Sequence, residues 1–101
     1  MAEHILTVAP ESAKVIFEND EVRVVEITMR KGQRIPMHSH RRGLSYSLND
    51  GEIRSTNKEG RSSTFKVKKG EISWSDTDGM ETHSVDNLGG ALIELAVELK
   101  D

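Results

Sequence analysis

Apolar and polar residues alternate along most of this chain with a period of two, the signature of strands that bury one face. The clearest case is 91–99, where Ala91, Ile93, Leu95, Val97 and Leu99 share one face and Glu94 and Glu98 share the other. The pattern predicts a strand with an apolar core face and a solvated outer one. In 62–68, Phe65 and Val67 are expected to be buried, opposite Thr64, Lys66 and Lys68. Within 21–30 the alternation changes phase, Val22 and Val24 on one side and Val25, Ile27 and Met29 on the other. This predicts a β-bulge near Val24-Val25.

Turn residues separate these runs at Glu18-Asn19-Asp20, Lys31-Gly32, Asn49-Asp50-Gly51, Asn57-Lys58-Glu59-Gly60, Lys69-Gly70 and Asn87-Leu88-Gly89-Gly90. Such punctuation predicts hairpins, most strongly at Asp50-Gly51 between 44–48 and 52–56, because tight hairpins need the positive φ that Gly and Asx tolerate. Short antiparallel strands without a long helical period define an all-β chain, a single-domain antiparallel jelly-roll β-barrel. The 101 residues enclose one core. We divide them into an N-terminal strand or arm, 1–20, available for contact with a second copy, and a barrel domain, 21–101. One Trp, one Tyr and two Phe make a thin core, so a homodimer is expected.

A net charge of −3 gives no long-range attraction to nucleic acid or to an anionic membrane. The lysines 66, 68 and 69 are read as a solvated face and turn. The absence of cysteine excludes disulfides and thiolate ligands, so any metal must be held by N and O. With neither a signal-like start nor an apolar run of membrane-spanning length, a cytoplasmic location is the default expectation.

The candidate chemistry is in the histidines. His38 and His40 flank Ser39, and in an extended strand positions i and i+2 share a face, so both rings can reach one point. His83 lies in another extended segment that only barrel closure could bring alongside. Imidazole suits Zn, Cu, Fe and Ni, and three neutral rings leave coordination positions open. His4 has no partner at chelating spacing and is expected to be exposed.

These residues also carry a resemblance. Gly32, five residues, His38-Ser39-His40 and then Gly51 resemble the first motif of the cupin superfamily; Gly70, His83 and Asn87 resemble the second. The resemblance covers roughly residues 21–99 and is similar in tone to small quercetin-dioxygenase-like and β-alanine-degradation-associated bacterial cupins. It implies a cupin double-stranded β-helix holding one divalent transition metal per chain (Fe, Ni, Zn or Mn) on His38, His40 and His83. Two departures stand out. The carboxylate of the first motif falls at Leu44, and the stretch before His83, Asp76 to Thr82, is about two residues longer than the family turn. The site is therefore expected to be either three histidines completed by water, which we favour, or three histidines with an oxygen from Glu81.

Around it, Tyr46 shares parity with Leu44 and Leu48 and is expected to point inward, as a group that orients a ligand or donates a proton or as core filler. Arg41 and Arg42 follow His40 at the barrel mouth as a carboxylate clamp or as solvated charge. Trp74 is read as core or dimer packing, and Asn87 as stabilising the turn after the His83 strand. The expected ligand is a small polar organic molecule. The expected activity is oxygenase-like metal chemistry, with a non-catalytic binding or sensing module, or a metal-free barrel, as alternatives.

Overall fold

The computed structural model describes residues 3–76 and 82–100. A four-residue helix, α1 (Ile5–Val8), precedes nine strands: β1 (Ala13–Glu18), β2 (Val22–Met29), β3 (Arg34–Ser39), β4 (Gly43–Ser47), β5 (Gly51–Asn57), β6 (Ser62–Val67), β7 (Ile72–Ser75), β8 (Thr82–Asn87) and β9 (Leu92–Leu99). They form two antiparallel sheets, one ordered β1-β2-β9-β4-β7 and the other β3-β8-β5-β6. The all-β jelly-roll expected from the alternation is what the chain builds.

Only β1–β2 and β5–β6 are hairpins; every other connection between consecutive strands crosses from one sheet to the other. The expected Asp50-Gly51 hairpin is one of these crossings, since β4 pairs with β7 and β9 while β5 pairs with β6 and β8. Its turn side chains are used to tie elements together. The Asn49 amide donates to Ala91 O (2.6 Å), its Oδ1 accepts from Ile93 N (2.8 Å), and Asp50 accepts from Lys69 N (2.8 Å). Turn chemistry is local and does not say whether the strands it joins pair. In the β5–β6 turn Asn57 Oδ1 takes the amides of Glu59 and Arg61, and Gly60 has φ of 86°, a value that favours glycine.

The bulge lies opposite the predicted place. β2 pairs with β9 without a break from Val22↔Leu99 to Met29↔Leu92, while β1 carries the extra residue, Ile16, between Val15↔Val25 and Phe17↔Val24. Val25, Ile27 and Met29 therefore face inward along one regular strand, and Val22 and Val24 face outward. A second bulge, at Pro36-Met37 of β3, separates Ile35↔Val85 from His38↔His83. Proline, with no N–H to donate, suits such a break in the ladder. The extra residue puts both Ile35 and His38 on the inner wall, where both are buried.

The core gathers Ile5 and Ala9 of the N-terminal segment with Val25, Ile27, Ile35 and Val85 of the two sheets. The arm of residues 1–20 is thus folded onto its own barrel over the residues described. In β9 the expected polarity is reversed: Leu92, Ala96 and Glu98 are buried, and the apolar set Ile93, Leu95, Val97 and Leu99 is half-buried on the outside. Apolar residues occupy both faces of this strand, and the two carboxylates line the interior. Val67 is buried as predicted, whereas Phe65, on the edge strand β6, is half exposed. No described helix is long and apolar enough to cross a membrane.

Candidate metal centre

His38 near the end of β3 is in register with His83 at the start of β8, and His40 lies one residue beyond β3. The chelating atoms of the three rings lie within 4.8 Å of one another, and Nε2 of His38 is 3.0 Å from Nε2 of His40. The predicted triad is therefore assembled, with β3 and β8 as its frame.

Each of two rings is oriented by a bond to its other nitrogen. His38 Nδ1 donates to Pro36 O at 2.8 Å, the carbonyl turned inward at the bulge. His83 Nδ1 meets the Ser55 hydroxyl at 2.8 Å. The His38 bond requires Nδ1–H and leaves Nε2 for the centre, the tautomer a metal needs; His83 takes the same form when its Nδ1 donates to the Ser55 oxygen. His83 Nε2 is buried with no hydrogen-bond partner. A buried polar atom without a partner is costly and rare, and beside two further imidazoles it fits a metal ion. Burial holds all three rings neutral: it lowers His38 to about 4, aided by His83, lowers His40 to about 3, aided by His38 and His83, and lowers His83 as well. Neutral imidazole is the ligating form.

The triad opens into a cavity of about 390 Å³. It runs along β9 and β4 past Ser45 and on to Glu94 and Glu71, with Phe65 and Trp74 of the edge strands β6 and β7 at its rim. Glu94 accepts the Ser47 hydroxyl (3.1 Å); burial raises its carboxyl, and neighbouring Glu71 raises it further. At the histidine end Glu98 is 2 % exposed and bonded on both oxygens, by His4 Nε2 (2.6 Å) and by Arg23 Nη2 (2.9 Å) and Nε (3.2 Å). Burial alone would raise Glu98, but the bonds and charges of His4 and Arg23 bring it down to about 2.

The other predicted residues fall as follows. Arg41 lines the cavity. Arg42 lies over the Trp74 ring (5.6 Å) and pairs with Asp76 (3.5 Å). Tyr46 does not point inward: Gly43 and Ser47 are buried while Tyr46 is 36 % exposed beside Leu95, so the inner wall of β4 is its odd-numbered positions. By the same parity Leu44 faces outward and Ser45 inward. Trp74, 53 % exposed, is not core. Glu81 lies outside the described residues. His4, expected to be free, is instead bonded to Glu98, with its ring 6.3 Å from that of His40. Asn87 stabilises its turn as expected and more, donating to Met29 O, Arg30 O and Gly90 O and accepting from Gly89 N. Sequence reasoning missed Ser55, Glu94, Glu98 and Arg23. For the two glutamates a signal existed, two carboxylates four apart on one strand face, but it was read as solvated.

Solved structures with the same architecture include a cupin domain from Bordetella pertussis Tohama I, 21 % identical with a TM-score of 0.78, the match covering 88 % of this chain and 92 % of that one. A double-stranded β-helix protein from Klebsiella pneumoniae is 24 % identical with a TM-score of 0.63, over 84 % and 72 % of the two chains. A cupin superfamily protein from Desulfitobacterium hafniense is 14 % identical with a TM-score of 0.64, over 88 % and 76 %. No family model and no curated protein matches the sequence. Two facing antiparallel sheets around an imidazole-lined cavity define the class, a double-stranded β-helix with a group that could hold a metal. The fold is that of the cupin superfamily.

Proposed function

We propose that this chain is a mononuclear metal-binding cupin that acts on a small polar organic molecule held in its cavity, with oxygenase-type chemistry as the leading reaction. One observation carries the metal reading: the buried, unpartnered Nε2 of His83 beside the converging rings of His38 and His40. A divalent Fe, Ni, Zn or Mn ion on these three nitrogens would supply Lewis acidity, and a redox-active one O₂ chemistry, at its remaining positions. The chain's own part is to hold three neutral imidazoles, two of them oriented through Nδ1, to screen the site from bulk water, and to present Ser45, Ser73, Glu71 and Glu94 along the wall where a ligand lies.

A binding or sensing role is the second reading, favoured by a specific observation. The triad has no carboxylate among the described residues that share its chelating group, and Tyr46 is turned away. Elemental analysis of untagged protein beside a His38→Ala/His83→Ala variant tests the metal. Near-stoichiometric redox-active metal in the wild type, absent from the variant, supports the oxygenase reading and is followed by O₂-uptake measurements. A non-redox metal with no turnover of small phenols or carboxylates supports the binding module, and no metal in either protein sinks the metalloenzyme reading and leaves a ligand-binding barrel.

We further propose a homodimer through the outer face of the five-stranded sheet. Register places Val24, Val97, Leu44 and Trp74 side by side across four strands, with Leu95, Tyr46 and Ile72 in the next row. An apolar face of this extent marks a contact surface. Sedimentation of wild type against Ile72→Glu/Trp74→Glu tests it: a dimer that becomes monomeric is expected, and a monomeric wild type refutes it.

A further inference from the structure

We infer that residues 3–8 are part of the metal centre's frame, and that His4, acting through Glu98, is a positioning residue for His40. The inference rests on the metal reading above but concerns residues that neither motif contains.

His38 and His83 are each oriented by a bond to their own ring. For His40, which lies beyond the end of β3, support comes instead to the backbone on either side. On one side the Ser39 amide donates to Glu3 O (2.8 Å), and His4 and Ser39 form a parallel bridge. On the other the Arg41 amide donates to Glu98 Oε2 at 3.4 Å, the oxygen that also receives His4 Nε2. The N-terminal segment thus grips residue 39 directly and residue 41 by way of Glu98.

The chemistry of His4 suits this link. Its Nδ1 accepts the Leu6 amide at 3.1 Å, capping α1. A ring that accepts at Nδ1 carries its proton on Nε2 and donates it to the carboxylate. One side chain therefore starts the helix that buries Ile5 and delivers a charge-assisted bond to Glu98. Glu98 is fixed on its other oxygen by the Arg23 fork, whose position β2 determines through Arg23↔Glu98 pairing with β9. The chain of contacts runs from a core strand pair, through Glu98 and His4, to the ligand segment.

The test uses untagged full-length protein and three variants. His4→Ala removes both bonds; His4→Asn keeps a cap for the Leu6 amide but is too short to reach Glu98; His4→Gln offers an amide long enough to donate to Glu98. Two quantities are measured: the affinity for Co²⁺ from its visible absorption, and hydrogen exchange of the Ser39 and Arg41 amides in metal-free protein, with the Val85 amide as internal reference. Outer-shell groups of this kind typically change metal affinity about 10–100-fold. That loss is expected for His4→Ala and His4→Asn, together with faster exchange at Ser39 or Arg41 and unchanged Val85 exchange, and His4→Gln is expected to recover most of both. Should His4→Ala fail to fold, His4→Asn carries the comparison.

A Co²⁺ affinity within about threefold of wild type, well short of an outer-shell effect, overturns the inference. So does an affinity loss with Ser39 and Arg41 exchange both unchanged, because His4 would then act by another route. If wild-type protein binds no Co²⁺, the metal reading falls, and the framing role stands or falls on the exchange of these two amides.

Discussion

Glu98 and Glu94 lie on the same strand and the same inward face, yet they are opposites. Both are largely withdrawn from water, and burial pushes both carboxyls upward. Glu98 then receives two side-chain partners and a backbone amide, and falls to about 2. Glu94 receives one hydroxyl and faces a second carboxylate, and stays raised. About 13 Å of strand separates them, four residues at roughly 3.3 Å each. Donors decide the outcome where burial does not: one glutamate is a structural pin beside the histidines, the other a carboxyl that burial holds above its ordinary titration range in the wall of the cavity.

The strongest way to break this comparison is to remove the pin. Glu98→Leu leaves Arg23 and His4 without their shared carboxylate, and breaking a buried pair costs about 3–5 kcal/mol. Urea denaturation of metal-free protein should show that loss. A cost under about 1 kcal/mol, the range of exposed pairs, would mean that Glu98 is no pin at all.

Acid should act next. His38 and His40 titrate at about 4 and about 3 in the folded chain against an ordinary 6.5, and Glu98 at about 2 against 4.5. In each case the unfolded chain takes up its proton first, so stability falls as pH falls. The histidine contribution is whole above pH 6.5 and is lost from there down towards 4 and 3; the Glu98 contribution is lost between 4.5 and 2. Metal-free protein should lose on the order of 4 kcal/mol between pH 7 and 5, since His38 and His40 each lose at most about 1.4 kcal/mol per pH unit over the roughly 1.5 units below 6.5. Equal stability at the two pH values would show that the rings are not held neutral. Bound metal should steepen the dependence, because protons compete for the same nitrogens.

The two glutamates also show where sequence is legible and where it is not. The triad could be read because His-x-His is a local spacing that an extended chain turns into one face, and a resemblance located His83. The strands could be read because alternation is local too. Which face of β9 was inner could not be read that way: the rule that apolar faces pack inward fails for a barrel with carboxylates and imidazoles on its inner wall and an apolar sheet face outside. Asp50-Gly51 marked the boundary between two strands, but neither the positive φ of a tight hairpin nor the pairing followed, because strand pairing across two sheets is set by closure of the whole barrel. Tyr46 followed from the same parity error on β4, where the buried, inward positions are Gly43 and Ser47. His4 had no spacing to betray it, since its partner is 94 residues away.

The smallest effect is the one that most sharpens the comparison. Glu94 carries a raised carboxyl, so its charged form is a cost to the folded chain above its ordinary titration range, and that cost disappears on acidification. Glu94→Gln removes the charge and keeps an oxygen that can accept the Ser47 hydroxyl. The variant should equal or exceed wild type in stability at pH 7, and the difference should vanish near pH 4. Destabilisation at pH 7 that disappears at pH 4 would reveal a cationic partner and make the two glutamates alike. In metal-loaded protein the same substitution separates wall from ligand: metal content should be unchanged, while any turnover that depends on a carboxyl in the cavity should fall. A variant as active as wild type would leave Glu94 as wall alone.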